Sequence, residues 1–255
     1  MDYKPDLVVL VEPRISGLKE DRVIKKIGMY RSHKVEANGF SGGIWVLWSS
    51  LTKIKVLKNH QQFIHCCVNL INQRQSFLFT AIYASPKPQW RVNLWSDLSS
   101  IAPDSNEPWL LASDFNATLS SGERKGGASE RRRGCRLFHS FIQSNELIDL
   151  GYVGPFYTWR CELTLARLDR ALSNTHWMHC FPNSTVQHLP QISSDHRPLW
   201  INFGAPIFAN KKPKDFKFLT TWETHHTFPK LVQDNWDSRL TLSENISNFS
   251  LAASH

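Results

Sequence analysis

The order of apolar and polar residues predicts a succession of short strands with a few helices between them. "DLVVLVEPR" is a continuous apolar run that stops at Glu12, which is typical of a buried strand. Further strands are predicted at "YRSHKVEA", "GGIWVLW", "KIKVLKN", "FIHCCVNL", "SFLFTAIYA", "WLLASDF", "YTWRC", "RLDRAL", "STVQHL" and "PLWINF". Because these runs do not follow a regular strand–helix–strand repeat, we expect an α/β or α+β sandwich.

Apolar residues at helical spacing predict three helices, at "GLKEDRVIKKIGMY", "QWRVNLWSDLSSIA" and "GCRLFHSFIQSNELIDL". The third has the clearest apolar stripe, which we expect to run from Leu137 to Leu147. Beyond about residue 205 the chain becomes rich in Pro and Lys, which is typical of a linker. We therefore expect one domain over residues 1–205 and a linker over 206–255.

The charge of the chain favours a polyanionic partner. Its formal net charge is +8, and Lys and Arg bind phosphates with release of counterions. The basic cluster in "GERKGGASERRRGCR" comprises Arg124, Lys125, Arg131, Arg132 and Arg133, with Arg136 at its end. A solvated loop and a loop that contacts phosphate are equally good interpretations of it.

Other features exclude several classes of protein. The five cysteines are odd in number and form no CxxC motif, so we expect reduced thiols and an intracellular protein, nuclear or cytoplasmic. No secretory signal or membrane span is predicted. His176, His179 and Cys180 have loose zinc-ligand spacing, but "NTHWMHCFP" also fits a helix end packed on a core, which we favour.

Several residues with chemically useful side chains lie at or near the ends of predicted strands. They are Glu12, Tyr83, Asp114, Asn116, Asp169, Asp195 and His196. Taken singly, each has an ordinary explanation, such as an Asx-turn at Asp114 and Asn116. Taken together they indicate a shared site, because carboxylates from separate strands repel one another unless a cation lies between them. Oxygen ligands of this kind suit Mg²⁺.

The same set contains the parts of a phosphodiester-cleaving site. An Asp–His pair fixes the orientation of a histidine and raises its basicity. A neutral amide such as that of Asn116 can bind an anionic oxygen without adding negative charge. A metal, a carboxylate that activates water and an oriented histidine predict hydrolysis of a phosphodiester.

The chain resembles the endonuclease/exonuclease/phosphatase superfamily, and more narrowly the apurinic-endonuclease-like domain of plant LINE-type (non-LTR) retrotransposons. The blocks that carry the resemblance are "KPDLVVLVEPRISG", "VEANGFSGGIWVLW", "FTAIYASP", "WLLASDFNAT", "GPFYTWR", "RLDRALSN" and "SSDHRPLWINF". The resemblance implies a DNase I-like four-layer α/β sandwich, with two packed β-sheets flanked by helices. It also implies a DNA endonuclease that uses Mg²⁺, or alternatively Mn²⁺, and no small-molecule cofactor. The tail resembles the segment that leads to a reverse transcriptase.

The resemblance implies roles for the site residues. Glu12 would bind Mg²⁺, and Asp195 would lie beside the metal. Tyr83 would hydrogen-bond the scissile phosphate. Asp114 would activate or orient the attacking water, and Asn116 would hold the phosphate or that water.

The Asp–His pair and the basic loop complete the expected site. Asp169 would orient His196, which would stabilise the pentavalent phosphate. The DNA backbone would be contacted by Arg124, Lys125, Arg131, Arg132 and Arg133. The implied reaction nicks one DNA strand and leaves a 3′-hydroxyl that primes reverse transcription.

Two departures from the family pattern shape our expectations. Family members usually begin with a strand resembling "WNCRG" and a helix, and we expect this chain to lack both, as an N-terminally truncated member. Ser113 stands where the family usually has Gly, which matters if the backbone there needs a positive φ. The alternatives left open are a catalytically impaired remnant that only binds nucleic acid and a phosphatase acting on small phosphate esters.

Overall fold

A computed structural model describes most of the first 204 residues of the chain. The described residues are 3–36, 42–71, 75–104, 106–127 and 134–204, with the single residues 230, 233, 234, 236 and 245. The chain divides into two compact units, residues 1–206 and 207–255. The sheets and helices of the fold belong to the first unit. Most of the expected linker lies outside the described residues.

The described part of the chain contains fourteen strands and four α-helices. The strands are β1 (Leu7–Val11), β2 (Arg31–Val35), β3 (Ile44–Trp48), β4 (Thr52–His60), β5 (Phe63–Leu70), β6 (Gln75–Tyr83), β7 (Trp109–Asp114), β8 (Arg124–Lys125), β9 (Ile148–Asp149), β10 (Trp159–Cys161), β11 (Thr164–Ala166), β12 (Asp169–Ser173), β13 (Thr185–His188) and β14 (Leu199–Asn202). The helices are α1 (Leu18–Ile27), α2 (Pro88–Ser99), α3 (Arg136–Ser144) and α4 (Thr175–Cys180), and a 3-10 turn covers Ser121–Glu123.

A six-stranded sheet with the order β4-β5-β6-β7-β12-β9 forms the centre of the unit. Strands β6 and β7 run parallel, with Tyr83 opposite Asp114. Strand β12 runs antiparallel to β7, with Asp169 opposite Asp114. The last residues of β6 and β7 and the first residue of β12 are neighbours at the same end of the sheet. Three of the predicted site residues, Tyr83, Asp114 and Asp169, therefore lie side by side.

Two hydrophobic cores lie on the two faces of this sheet. Leu110 and Ala112 of β7 pack into the core shared with the sheet β1-β3-β2 and with β13 and β14. Trp109 and Leu111 face the other way, into the core beneath α2 and α3. Both faces of β7 are therefore buried, which explains why its sequence is a continuous apolar run rather than an alternating one.

Helix α1 forms the outermost layer. Its buried Glu20 accepts a hydrogen bond from the indole of Trp45, whose neighbours Ile44 and Val46 point into the inter-sheet core. The order of layers is thus helices α2 and α3, the six-stranded sheet, the second layer of strands, and α1. This confirms the four-layer α/β sandwich implied by the resemblance. No helix in the described residues is long and apolar enough to span a membrane.

One predicted element is too long. The helix predicted through Leu147 ends at Ser144, and the following "ELIDL" instead leads into the short strand β9. Glu146 has a φ of 50°, a left-handed conformation that no α-helix continues through. Leu147 is buried in the core beneath α2 and α3, so its apolar character belongs to a turn that packs there.

Candidate active site

The predicted site residues converge at the edge of the sheet where β6 and β7 end. Asp114 is buried there, with Tyr83 on one side and Asp169 on the other. Glu12 follows β1, and its amide donates to Gly43 O at 3.0 Å. All four residues line one cleft of about 1000 Å³, together with His196. The convergence expected from the sequence is therefore what the fold produces.

Asp114 and Asn116 form a tight local pair. The backbone N–H of Asn116 donates to Asp114 Oδ1 at 2.8 Å, which is the hydrogen bond of an Asx-turn. The Asn116 amide donates to Asp114 Oδ2 at 2.5 Å and to the Ala84 carbonyl at 2.9 Å. The turn thus fixes the Asp114 carboxylate and links it to the loop after β6. An Asx-turn at Asp114 and Asn116 is therefore compatible with a functional role for the same two residues.

His196 bridges the two aspartates. Its Nδ1 lies 2.8 Å from Asp169 Oδ2, and its Nε2 lies 4.0 Å from Asp114 Oδ2. Because an ionised carboxylate can only accept, the Nδ1–H donates to Asp169 and Nε2 faces Asp114. This is the arrangement that orients a histidine toward a second group.

The charges of these groups are strongly linked. Burial by itself lowers the pKa of His196, but its hydrogen bond to Asp169 and the charges of Asp169 and Asp114 outweigh burial and raise that pKa to about 9. Burial and the charge of Asp169 raise the pKa of Asp114 well above its ordinary value. The imidazolium is therefore the favoured form of His196 at neutral pH.

Tyr83 lies between Glu12 and Asp114. Burial raises the pKa of its phenol, and the charges of Glu12 and Asp114 and a hydrogen bond to Glu12 raise it further. Tyr83 therefore stays a neutral hydrogen-bond donor. The Glu12 carboxylate also pairs with Arg14 at 3.3 Å.

The side chain of Asp195 has a partner that the sequence did not suggest. Its Oδ2 accepts a hydrogen bond of 3.0 Å from the indole N–H of Trp159. Asp195 lines the same cleft as Glu12, so both predicted metal ligands are close to the site, and their role as ligands stays a prediction.

The donor atoms fit a divalent cation. Within the described residues, one group of metal-binding side chains lies close together, namely Asp114, Asp169 and His196, whose ligand atoms all lie within 4.8 Å of one another. The two carboxylates of this group suit a divalent cation, whereas His196 in its imidazolium form has no free lone pair for one. The described structure does not group His176, His179 and Cys180 in this way.

The basic loop is only partly described. Arg124 and Lys125 form β8, which pairs with β11 in a small sheet of order β10-β11-β8. The Arg124 guanidinium lies over the Trp159 ring, 5.8 Å from its centroid. Arg131, Arg132 and Arg133 lie outside the described residues. Arg124 and Lys125 are the described part of the predicted DNA contact. They lie in the same small sheet as β10, whose Trp159 hydrogen-bonds Asp195.

A buried network of charges next to the site was not found from the sequence. Arg170 is fully buried and donates to Glu123 Oε2 at 2.7 Å and to Asp149 Oδ2 at 3.2 Å. Arg167 donates to both oxygens of Asp149 at 2.9 and 2.8 Å. The network links the 3-10 turn before β8 to Arg167 and Arg170, which lie before and after Asp169 in the sequence. No spacing rule reveals it, because its members are brought together only by the tertiary fold.

Arg91 is a second feature that was not expected. It is buried on α2, and its Nη1 donates to the Ser85 carbonyl at 2.5 Å, in the loop that follows β6. Burial lowers the pKa of Arg91, while the charges of Cys135 and Asp114 act in the opposite direction. A buried cation therefore lies on the helix side of the site, near Asp114.

Comparison with known proteins gives a family and a fold. A sequence model described as the Endonuclease/Exonuclease/phosphatase family matches residues 2–196. No curated protein sequence matches the chain.

Several solved structures share the fold at low sequence identity. A 3′ phosphatase, NExo from Neisseria, bound to a product DNA hairpin, matches with a TM-score of 0.56 and 17% identity, over 80% of this chain and 90% of that one. The endonuclease domain of TRAS1, a telomere-specific non-LTR retrotransposon, matches with a TM-score of 0.52 and 12% identity, over 67% of this chain and 76% of that one. TDP2 of D. rerio, complexed with a single-strand DNA product, gives 0.50 and 15%, over 78% and 82%.

Proposed function

We propose that the chain, which belongs to the Endonuclease/Exonuclease/phosphatase family, is a metal-dependent DNA endonuclease that nicks one strand. The family comprises hydrolases that act on phosphodiester bonds. The observation that carries the proposal is the cluster of Asp114, Asp169 and His196 in one cleft, with Tyr83 and Glu12 beside it. We also propose that the domain derives from a LINE-type retrotransposon, as the sequence blocks indicate.

The aspartate and the histidine take complementary parts in this proposal. Asp114 would accept a proton from the attacking water or orient it, for which a carboxylate of raised pKa is suited. His196, held by Asp169, would place its positive charge against the phosphate as negative charge develops there. Tyr83 would exchange its hydrogen bond to Glu12 for one to a phosphate oxygen. Both side-chain N–H groups of Asn116 are already used by Asp114 and the Ala84 carbonyl, so its Oδ1 would accept from the attacking water.

The metal would be held by the acidic residues of the cleft. Glu12 and Asp195 are the proposed ligands, with Mg²⁺ as the favoured ion because the donors are oxygens. When bound, such an ion supplies a positive charge that stabilises phosphate oxygens. The carboxylates of Glu12 and Asp195 line the same cleft as Asp114 and Asp169, which supports this assignment.

DNA is the proposed substrate for two reasons. Arg124 and Lys125 lie in the small sheet that joins the site at Trp159, and phosphate contacts from such residues supply much of the affinity for nucleic acid. The NExo and TDP2 structures hold DNA products, and the TRAS1 structure is that of a retrotransposon endonuclease domain. These properties belong to those proteins, and they support the proposal for this chain by analogy.

A second candidate is a phosphatase, favoured by the likeness to the 3′ phosphatase NExo. The two activities are separated by one pair of assays. We expect the protein with Mg²⁺ to cut inside a closed circular DNA, which has no terminal phosphate, and to release no phosphate from an inositol phosphate. Asp114→Asn should remove the cutting, and Lys19→Gln on the exposed face of α1 is the matched control. Phosphate release without cutting would overturn the proposal in favour of a phosphatase.

A further inference from the structure

Trp159 lies beside the proposed site and has no part in the roles described so far. It is the first residue of β10, it is half-buried, and it pairs with Ala166 across β11. It also forms an isolated antiparallel bridge with His196. The block "YTWR" therefore runs alongside the loop that carries the histidine.

Three hydrogen bonds join the two segments. The amide of Arg160 donates to the Asp195 carbonyl at 2.9 Å, and the amide of Arg197 donates to the Thr158 carbonyl at 2.7 Å. These two bonds use the backbone, so any residue at position 159 permits them. The third runs from the Trp159 indole N–H to Asp195 Oδ2 at 3.0 Å, and it depends on the tryptophan side chain.

This side-chain bond reaches an exposed part of the loop before β14. Ser193 has a φ of 48°, and Ser193, Ser194 and Asp195 are exposed. The exposed carboxylate of Asp195 is next to His196 in the chain and is a second possible acceptor for its ring N–H. Asp195 Oδ2 instead accepts from the Trp159 indole N–H, and Asp169 is the hydrogen-bond partner of His196, at 2.8 Å.

We infer that Trp159 is a positioning residue whose indole N–H fixes the Asp195 carboxylate, and through it the loop that presents His196 to Asp114 and Asp169. The inference rests on the proposed function, because positioning has a catalytic consequence only if the cleft is a nuclease site. It is distinct from a role in which the Trp159 ring stacks on a base or supports Arg124. Such a role needs the aromatic face and not the N–H.

Trp159→Phe separates the two roles, because phenylalanine keeps an aromatic face and lacks the N–H. We expect Trp159→Phe to lower the kcat of DNA nicking about tenfold with KM changed less than twofold, and Trp159→Ala to lower kcat by a similar factor. Trp45→Phe is the matched control, since it removes an indole-to-carboxylate bond, to Glu20, away from the site. We expect the control to keep the wild-type kcat.

A double-mutant cycle tests the route through Asp195. In an Asp195→Ala background, the Trp159→Phe change should alter amide hydrogen exchange at Arg160 and Arg197 by less than twofold, because the bond it removes is already absent. Exchange that Trp159→Phe accelerates equally in both backgrounds overturns the inference. So does a Trp159→Phe variant that nicks at the wild-type rate while Trp159→Ala does not, since that result assigns the role to the aromatic face.

A measurement that needs no activity distinguishes failure of the inference from failure of the proposed function. Amide hydrogen exchange at Arg160 and Arg197 should be at least fivefold faster in Trp159→Phe than in the wild type, and unchanged in Trp45→Phe. If the wild type nicks no DNA, the proposed function fails, and the exchange rates still decide whether Trp159 orders the loop. Unchanged exchange in Trp159→Phe overturns the inference, whatever the activity.

Discussion

Ser113 occupies a backbone conformation that suits glycine, and replacing it should stabilise the fold. Its φ is 108°, within β7 and directly before Asp114. Holding a residue with a Cβ in such a region costs about 1–3 kcal/mol. Ser113→Gly removes this strain, and the greater freedom of the unfolded glycine chain offsets about 0.4–1 kcal/mol of the gain. The net expected increase in the free energy of unfolding is about 1 kcal/mol.

Thermal unfolding measures this gain. For a domain of this size, about 1 kcal/mol corresponds to a rise in Tm of roughly 2–4 °C. Ser113→Ala is the control, because alanine removes the hydroxyl but keeps the Cβ, and it should show no such rise. If Ser113→Gly melts at or below the temperature of Ser113→Ala, the reasoning from backbone strain is wrong.

Further predictions concern pH, a buried ion pair and the metal. The nicking rate should fall as the pH rises through about 9, because the imidazolium of His196 is lost there. A nicking rate that stays level up to about one pH unit beyond that point would contradict this role of His196. The pKa of His196 in the folded protein is above its ordinary value of 6.5. The stability that comes from its bond to Asp169 should therefore be complete below about pH 6.5 and lost as the pH rises through about 9. Urea titrations at a series of pH values measure this change. Asp149→Ala should cost about 3–5 kcal/mol in urea unfolding, because it leaves Arg167 and Arg170 buried with one carboxylate fewer, and a loss below about 1 kcal/mol would refute that. EDTA should abolish nicking and added Mg²⁺ or Mn²⁺ should restore it, whereas activity that persists in EDTA would exclude the metal.

The strands and the edge at which they end follow from local patterns. The apolar run of β7 and the polar residues after it predict both a buried strand and a group of side chains at its end, and the register of Tyr83, Asp114 and Asp169 agrees. Parallel pairing of β6 with β7 places like ends together, so residues far apart in sequence meet without any further signal.

The partners of individual side chains do not follow from local patterns. No sequence signal shows that Asp195 accepts from Trp159 or that Glu123 pairs with Arg170, because these pairs are 36 and 47 residues apart and are joined only by tertiary packing. The predicted end of α3 is wrong for a related reason. Leu147 fits a helical stripe, but the left-handed backbone at Glu146 turns the chain into β9.

The most direct test of the proposed function is nicking of supercoiled plasmid with Mg²⁺ by the wild type and by His196→Ala, prepared side by side. His196 is held by Asp169 and faces Asp114, so its loss should lower the nicking rate by at least about a hundredfold. Circular dichroism should show the same fold in both proteins. Equal nicking by the two proteins, or none by the wild type, would contradict the assignment of phosphodiester hydrolysis to this cleft.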